Sequence, residues 1–80
     1  MTTRFPVDAP RSRLIRALET LGFRLVRERE HIAMVPENPD GSRTPLTIPG
    51  HPRMKSSTLR TICSRAGISR EEFLRAYDQS

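Results

Sequence analysis

The sequence predicts an α+β domain of two layers, in which helices cover one face of a three-stranded antiparallel sheet. Apolar residues recur at helical spacing near both ends of the chain, and apolar residues alternate with other residues in the middle. The predicted element order is α-β-β-β-α, followed by a short C-terminal helix. We expect residues 1–80 to form a single domain, with residues 1–7 as a flexible terminus.

The first helix is predicted upstream of Gly22, which is expected to end it. Asp8 or a near neighbour is expected to cap its beginning, because a side-chain oxygen there can accept a hydrogen bond from a free backbone N–H. The apolar stripe of this helix consists of Leu14, Ile15, Leu18 and Leu21.

Residues 23–35 predict two strands joined by a tight reversal. Phe23 and Leu25 alternate with polar neighbours, and Ile32 and Met34 alternate around Ala33. Since the segment is long for one strand, we expect the chain to reverse near residues 28–30. The reversal contains neither glycine nor asparagine, the residues that most readily adopt the positive φ angles of the common hairpin turns.

A third strand is predicted from Thr44 to Ile48. The Asn-Pro-Asp-Gly sequence of residues 38–41 predicts a turn before it. Pro45 and Pro49 cannot donate hydrogen bonds to a neighbouring strand, so this strand is expected at an edge of the sheet.

Two further helices are predicted after this strand. Ser56 or Ser57 is expected to cap the first of them, and Gly67 to end it. Ser69 and Glu72 have the spacing of a capping box, which predicts the start of the short last helix. The apolar stripe of the longer helix consists of Leu59, Ile62, Cys63 and Ala66.

Positive charge is concentrated in the second half of the chain. The net charge is +5, and Lys55 is the only lysine among the basic residues. No acidic residue lies between Gly41 and Arg70, whereas that segment contains Arg43, Arg53, Lys55, Arg60, Arg65 and Arg70. This distribution favours a polyanionic partner such as nucleic acid, an anionic membrane or an acidic protein, although a solvated basic face is the simpler alternative.

The number of cysteines and the hydropathy of the N-terminal residues exclude several further kinds of protein. Cys63 is the only cysteine, which excludes an internal disulfide and metal sites built on several cysteines. A single free thiol is typical of a reducing compartment. The first residues contain no apolar run that could act as a signal peptide or membrane span, so we expect a cytoplasmic protein.

A set of short motifs in a defined order gives the chain a family resemblance. The motifs are Leu21-Gly22-Phe23, His31-Ile32, Asp40-Gly41, Ile48-Pro49-Gly50-His51-Pro52 and Ala66-Gly67-Ile68-Ser69. Each is weak alone, but their order and spacing over residues 8–77 resemble the HicA toxin family. The resemblance implies a fold similar to double-stranded RNA-binding domains. It also implies translation-independent cleavage of mRNA, as an mRNA interferase of a type II toxin–antitoxin system, and a cognate HicB-type antitoxin.

The same resemblance assigns the catalytic role to His31. The catalytic histidine of the family stands at the start of the second strand and precedes an apolar residue, as His31 precedes Ile32. Where relatives often carry Gly-Ser, this chain has Glu28-Arg29-Glu30, which places a carboxylate beside the histidine. Strand alternation independently predicts that Ile32 and Met34 face the helices and that His31 faces the open side. The simpler alternative is a surface histidine without a role.

The predicted RNA-binding residues surround this histidine and the start of the second long helix. Arg53, Lys55 and Ser56 form the predicted phosphate site, because the N–H groups at a helix N-terminus attract anions. Arg27, Arg29 and His51 complete the predicted set. For His51, a phosphate contact or a role in loop structure is favoured over a second acid–base role.

Two other functions remain open from the sequence: an RNA-binding module without catalysis, and a basic domain that binds an acidic protein. Residues 59–77 superficially resemble a helix-turn-helix, but Glu71, Glu72 and Asp78 would repel DNA phosphates. No group of residues has the spacing of a metal site, so we expect neither a metal nor a cofactor to be required.

Overall fold

The computed structural model describes residues 4–37 and 44–79, and all statements about structure concern these residues. The elements in chain order are β1 (Ala9–Pro10), α1 (Arg11–Thr20), β2 (Phe23–Glu28), β3 (His31–Pro36), β4 (Leu46–Pro49), β5 (Arg53–Met54), α2 (Ser56–Ala66) and α3 (Arg70–Asp78). The predicted turn at residues 38–41 lies outside the described residues.

Strands β2, β3 and β4 form an antiparallel sheet in that order, and the helices cover one of its faces. Ile32, Met34 and Ile48 are completely buried on the covered face, together with Phe23 and Leu14. The predicted α+β architecture is therefore confirmed. The predicted third strand corresponds to β4, which lies at the sheet edge as expected. It begins two residues later than predicted, because Thr44 and Pro45 do not pair with β3.

The β2–β3 hairpin contains a β-bulge that the sequence analysis did not predict. Leu25 lies opposite Met34. The next pair joins Arg27 to Ala33, so Val26 is the extra residue of the bulge, and its side chain is 57% exposed. One extra residue reverses the alternation of side chains beyond it. Arg27 therefore lies on the same face as Ala33, opposite the helices.

A second sheet of two strands holds the segment before α1 against the segment before α2. Ala9 pairs with Met54 and Pro10 with Arg53. The predicted cap at Asp8 is wrong, because the N-cap of α1 is Pro10, which makes no side-chain hydrogen bond. The strand pairing brings the carbonyl of Pro52 to the helix start instead, where it accepts from the N–H of Arg11 at 2.9 Å.

The end of α2 and the start of α3 agree with the sequence prediction, whereas the start of α2 does not. The predicted cap at Ser56 or Ser57 is wrong, since the extended N-cap position belongs to Lys55 and Ser56 is already helical. Gly67 ends α2 in the left-handed conformation with a φ of 70°. Ser69 and Glu72 form the predicted capping box at the start of α3.

Gly50 connects the end of β4 to the turn between β2 and β3. Its N–H donates to the carbonyl of Glu30 at 3.1 Å, and its own carbonyl accepts from the Arg11 guanidinium at 3.0 Å. A Cβ atom at Gly50 would overlap the Glu30 carbonyl oxygen and lie 3.0 Å from the Arg29 carbonyl oxygen. Both obstacles are backbone atoms, so the close approach of these two segments requires glycine.

We predict that Gly50→Ala destabilises the domain by about 1–3 kcal/mol, the usual cost of forcing an extra carbon into a packed site. Gly22→Ala is the matched control. Gly22 has a φ of +97° and open space around its Cβ position. The control substitution should therefore lower the free energy of unfolding by about 1–2 kcal/mol through its backbone conformation alone. Denaturant unfolding and amide NMR shifts measure both variants.

The two substitutions are expected to change the backbone at different places, which amide NMR can distinguish. Gly50→Ala is expected to shift the amide resonances of Arg29 and Glu30, whereas Gly22→Ala leaves them in place. Wild-type stability together with unchanged resonances in Gly50→Ala would show that the two segments do not approach each other this closely.

Candidate functional site

The sheet face opposite the helices carries the residues of the candidate site. Residues that lie directly opposite each other on neighbouring strands share a face. Arg27 on β2, Ala33 on β3 and Thr47 on β4 therefore form one row across this open face. The small Ala33 side chain lies in the middle of the row, so the sheet surface there stays accessible.

His31 begins β3 and lies on the same open face, opposite Pro49 of β4. Its side chain is exposed, whereas the next residue, Ile32, is completely buried against the helices. Among the described residues, its imidazole makes no hydrogen bond or ion pair with another side chain. The ring is therefore available to a ligand and contributes little to the fold.

A shallow depression of about 460 Å³ surrounds the histidine and is lined by Arg27, Arg29, Glu30 and His31. The two guanidinium groups form no ion pair with any carboxylate in the described part of the chain. The β-bulge at Val26 matters here, because strict alternation from Leu25 would have turned Arg27 toward the helices. The depression thus combines an imidazole ring, a carboxylate and two cations that form no ion pair in the described part of the chain.

A second depression, of about 470 Å³, includes His51, Arg53 and Lys55. The hydrogen bond between the Gly50 N–H and the Glu30 carbonyl holds the start of this segment against the hairpin turn. The structure therefore brings the residue that precedes His51 to the turn that carries Arg29 and Glu30.

Arg53 differs from the other cations of the predicted set, because it has a carboxylate partner. Its guanidinium donates to the Asp8 carboxylate at 3.1 Å, and both side chains are more than half exposed. Asp8 approaches Arg53 because β1 pairs with β5. An exposed ion pair of this kind is easily exchanged for another anion, since it contributes about 0–1 kcal/mol to stability.

Ser56 is predicted to share a phosphate site with Arg53 and Lys55, and it lines a different depression from theirs. Lys55 lines the depression that contains His51, whereas Ser56 lines a different one with Arg60 and Arg70. The reason is that α2 begins between Lys55 and Ser56, so successive side chains leave the helix start in different directions.

Cys63 does not belong to the site. Burial, and to a smaller extent the negative charge of Glu72, raises the pKa of its thiol from 9.0 to about 11. The reactive thiolate is therefore disfavoured, and Cys63 packs as a small apolar residue of α2. In residues 4–37 and 44–79, no three histidine, cysteine or acidic side chains cluster in a way that could hold a metal ion.

The sequence gives no geometric reason for placing Arg27 and Arg29 beside His31, and it does not predict the close backbone contact at Gly50. The consecutive apolar pair Leu25-Val26 is the signal that could have revealed the bulge, because it interrupts the alternation of the strand. For Gly50, the sequence alone gives no sign of the backbone that approaches it.

One protein-family model matches the chain. The sequence profile described as the HicA toxin of bacterial toxin–antitoxin systems matches residues 11–68, a segment that contains β2, β3, β4 and both depressions. No curated protein and no solved structure is significantly similar to the chain. No helix in the described parts of the chain is both long and apolar enough to span a membrane. Since the profile covers well over half of the sequence, the chain belongs to the HicA family of bacterial toxins.

Proposed function

We propose that this toxin is an mRNA interferase, an endoribonuclease that cleaves mRNA with His31 as an acid–base catalyst. The observation that carries the proposal is the depression in which the exposed ring of His31 lies beside Arg27 and Arg29. This depression lies within the segment that matches the family profile. An exposed acid–base group next to uncompensated cations is what cleavage of a phosphodiester requires.

In the proposed reaction, the RNA itself supplies the nucleophile. The 2′-hydroxyl loses its proton to a general base and attacks the adjacent phosphorus, while the bond from phosphorus to the 5′-oxygen breaks. A general acid protonates the departing 5′-oxygen, so one proton is taken up and one is delivered. The products are a 2′,3′-cyclic phosphate and a 5′-hydroxyl. DNA is not a substrate because it lacks the 2′-hydroxyl.

His31 transfers one of these protons, since an imidazole can act both as a base and as an acid. Glu30 is the other proton-transferring side chain of the same depression, so we assign the complementary transfer to its carboxylate. His51 lines the second depression and is given a phosphate-contacting role. Arg27 and Arg29 stabilise the negative charge that develops on the phosphate oxygens.

The remaining phosphate contacts are assigned to Arg53 and Lys55. Lys55 is the N-cap residue of α2, where no side chain caps the helix. The free N–H groups at this end favour an anion. Arg53 exchanges its Asp8 partner for a phosphate when RNA binds.

We predict that His31→Ala lowers the rate of RNA cleavage by about 10²- to 10⁴-fold, the usual contribution of a general acid or base. Because the side chain is exposed and makes no hydrogen bond within the described structure, stability should change by less than about 0.5 kcal/mol. Single-turnover cleavage and thermal melting of the same samples measure the two effects.

His51→Ala is the matched control for this experiment. It removes the other exposed histidine and is expected to weaken RNA binding more than it lowers the single-turnover rate at saturating RNA. A folded His31→Ala variant that cleaves at the wild-type rate would remove His31 from the mechanism. Cleavage lost only in His51→Ala would transfer the catalytic role to His51.

We predict that cleavage does not depend on a metal ion. The proposed catalytic groups are an imidazole, a carboxylate and guanidinium groups, and none of the steps assigned to them needs a Lewis acid. The rate should therefore be unchanged in excess EDTA. A rate that falls in EDTA and recovers when Mg²⁺ is added would contradict the proposed division of roles.

The partner expected of a HicA toxin is a cognate HicB-type antitoxin, and we propose that it covers the depression around His31 with an acidic surface. Diethyl pyrocarbonate, which acylates accessible imidazoles, gives a direct measurement. We predict that His31 reacts in the free toxin and is protected in the complex. Full reactivity of His31 in an inhibited complex would show that the antitoxin acts by another route.

A further inference from the structure

A third depression, of about 330 Å³, lies outside the proposed catalytic site and collects three arginines. Arg4, Arg60 and Arg70 line it, together with Phe5, Val7 and Ser56. The three arginines come from the N-terminal segment, from α2 and from the first position of α3. We call Arg4, Arg60 and Arg70 the arginine cluster.

The positive charge of the arginine cluster is not compensated within the described protein. None of the three guanidinium groups lies within ion-pair distance of a carboxylate in residues 4–37 or 44–79. By contrast, Arg11 pairs with Glu28 at 3.3 Å and Arg13 lies 4.1 Å above the centre of the Tyr77 ring. The three positive charges repel one another. An anion bound between them would be attracted by all three arginines and would reduce this repulsion.

The backbone that carries these arginines is held by packing. The Phe5 ring lies 5.7 Å from the ring of Phe73, which is completely buried, and so fixes the segment that carries Arg4. The capping box of Ser69 and Glu72 fixes the start of α3, where Arg70 stands. Arg60 follows Ser56 by one helical turn of α2. The arginine cluster is thus supported by ordered elements.

The arginine cluster continues the basic surface of the proposed active site. Lys55 belongs to the depression with His51 and Arg53, and the next residue, Ser56, belongs to the depression with the arginine cluster. Residues that are neighbours in the chain, at the start of α2, therefore line the two depressions. A strand of RNA carries a phosphate at every nucleotide, and the planar guanidinium fork binds phosphate with two hydrogen bonds.

We propose that Arg4, Arg60 and Arg70 bind phosphates of the RNA strand that continues beyond Lys55, away from the cleaved bond. This proposal rests on the proposed function, because it takes RNA as the substrate. We favour RNA over an acidic protein because few apolar side chains are exposed at the depression that the arginine cluster lines. Among the described residues, Val7 is the one large hydrophobic side chain exposed at this depression. A protein interface normally has a larger apolar centre.

The test uses the double variant Arg60→Ala/Arg70→Ala and uncleavable 2′-O-methyl RNA of two lengths, one of a few nucleotides and one several times longer. We expect the double variant to bind the long RNA at least about tenfold more weakly, while its binding of the short RNA is unchanged. The logarithmic salt dependence for the long RNA should fall by about 1.4, or about 0.7 for each lost phosphate contact.

Two control variants separate specific contacts from net charge and folding. Arg16→Ala/Arg75→Ala removes two exposed arginines from α1 and α3 outside the arginine cluster, and it should bind long RNA like the wild type. Arg60→Lys/Arg70→Lys keeps the charge and should keep the salt dependence. Melting temperatures confirm that all variants fold.

Three outcomes would overturn the proposal. In the first, Arg60→Ala/Arg70→Ala binds RNA with wild-type affinity and salt dependence, and the wild-type protein cleaves RNA. This result would reject RNA binding by the arginine cluster and leave the proposed function intact. The second is unchanged RNA binding together with weaker antitoxin binding, which assigns the surface to a protein. The third is a wild-type toxin that neither binds nor cleaves RNA, which rejects the proposed function itself.

Discussion

Burial of alternate residues along β3 determines which surface of this protein is available to a partner. Ile32 and Met34 are both completely buried against the helices, and Ile48 on the neighbouring strand joins them. Because side chains alternate along a strand, this burial forces His31 and Ala33 to the open face. A shift of the strand by one residue would expose the core and bury His31, so the fold and the candidate site depend on the same register.

The cations on that open face are arranged by departures from regular structure. The β-bulge at Val26 turns Arg27 to the side of His31, whereas regular alternation would have turned it to the core. Gly50 lets the end of β4 approach the hairpin turn so closely that its N–H bonds the Glu30 carbonyl. Bulges and close backbone approaches at such places orient functional side chains, and here they collect positive charge at one end of the sheet.

The parts of the fold that sequence reasoning predicted are those determined by local patterns. The helical stripes, the alternation around Ala33, the end of α2 at Gly67 and the capping box of Ser69 and Glu72 all depend on residues close together in the chain. The helix starts near Asp8 and Ser56 were predicted wrongly. In the first case the acceptor for the helix N–H is a carbonyl of Pro52, far away in sequence.

The candidate site was predictable to the same limited extent. The exposure of His31 follows from alternation alone, and it was expected correctly. The grouping of Arg27 with His31 depends on a bulge, and the assignment of Ser56 and Lys55 to different depressions depends on where α2 begins. These are tertiary and register properties, which the composition of a segment does not encode. The arginine cluster combines residues that are distant in sequence, so only the packed structure reveals it.

The location of the charged groups also follows from the small size of the domain. No polar or charged residue is buried in the described structure, and the core consists of apolar side chains. A chain of 80 residues buries only a small core and is marginally stable, and an unpaired buried charge would cost several kcal/mol. The proposed catalytic groups are therefore held on an exposed surface, where water weakens their electrostatic effect. In the proposed reaction, the bound RNA would itself exclude that water, so phosphate contacts away from the cleaved bond would contribute to the reaction.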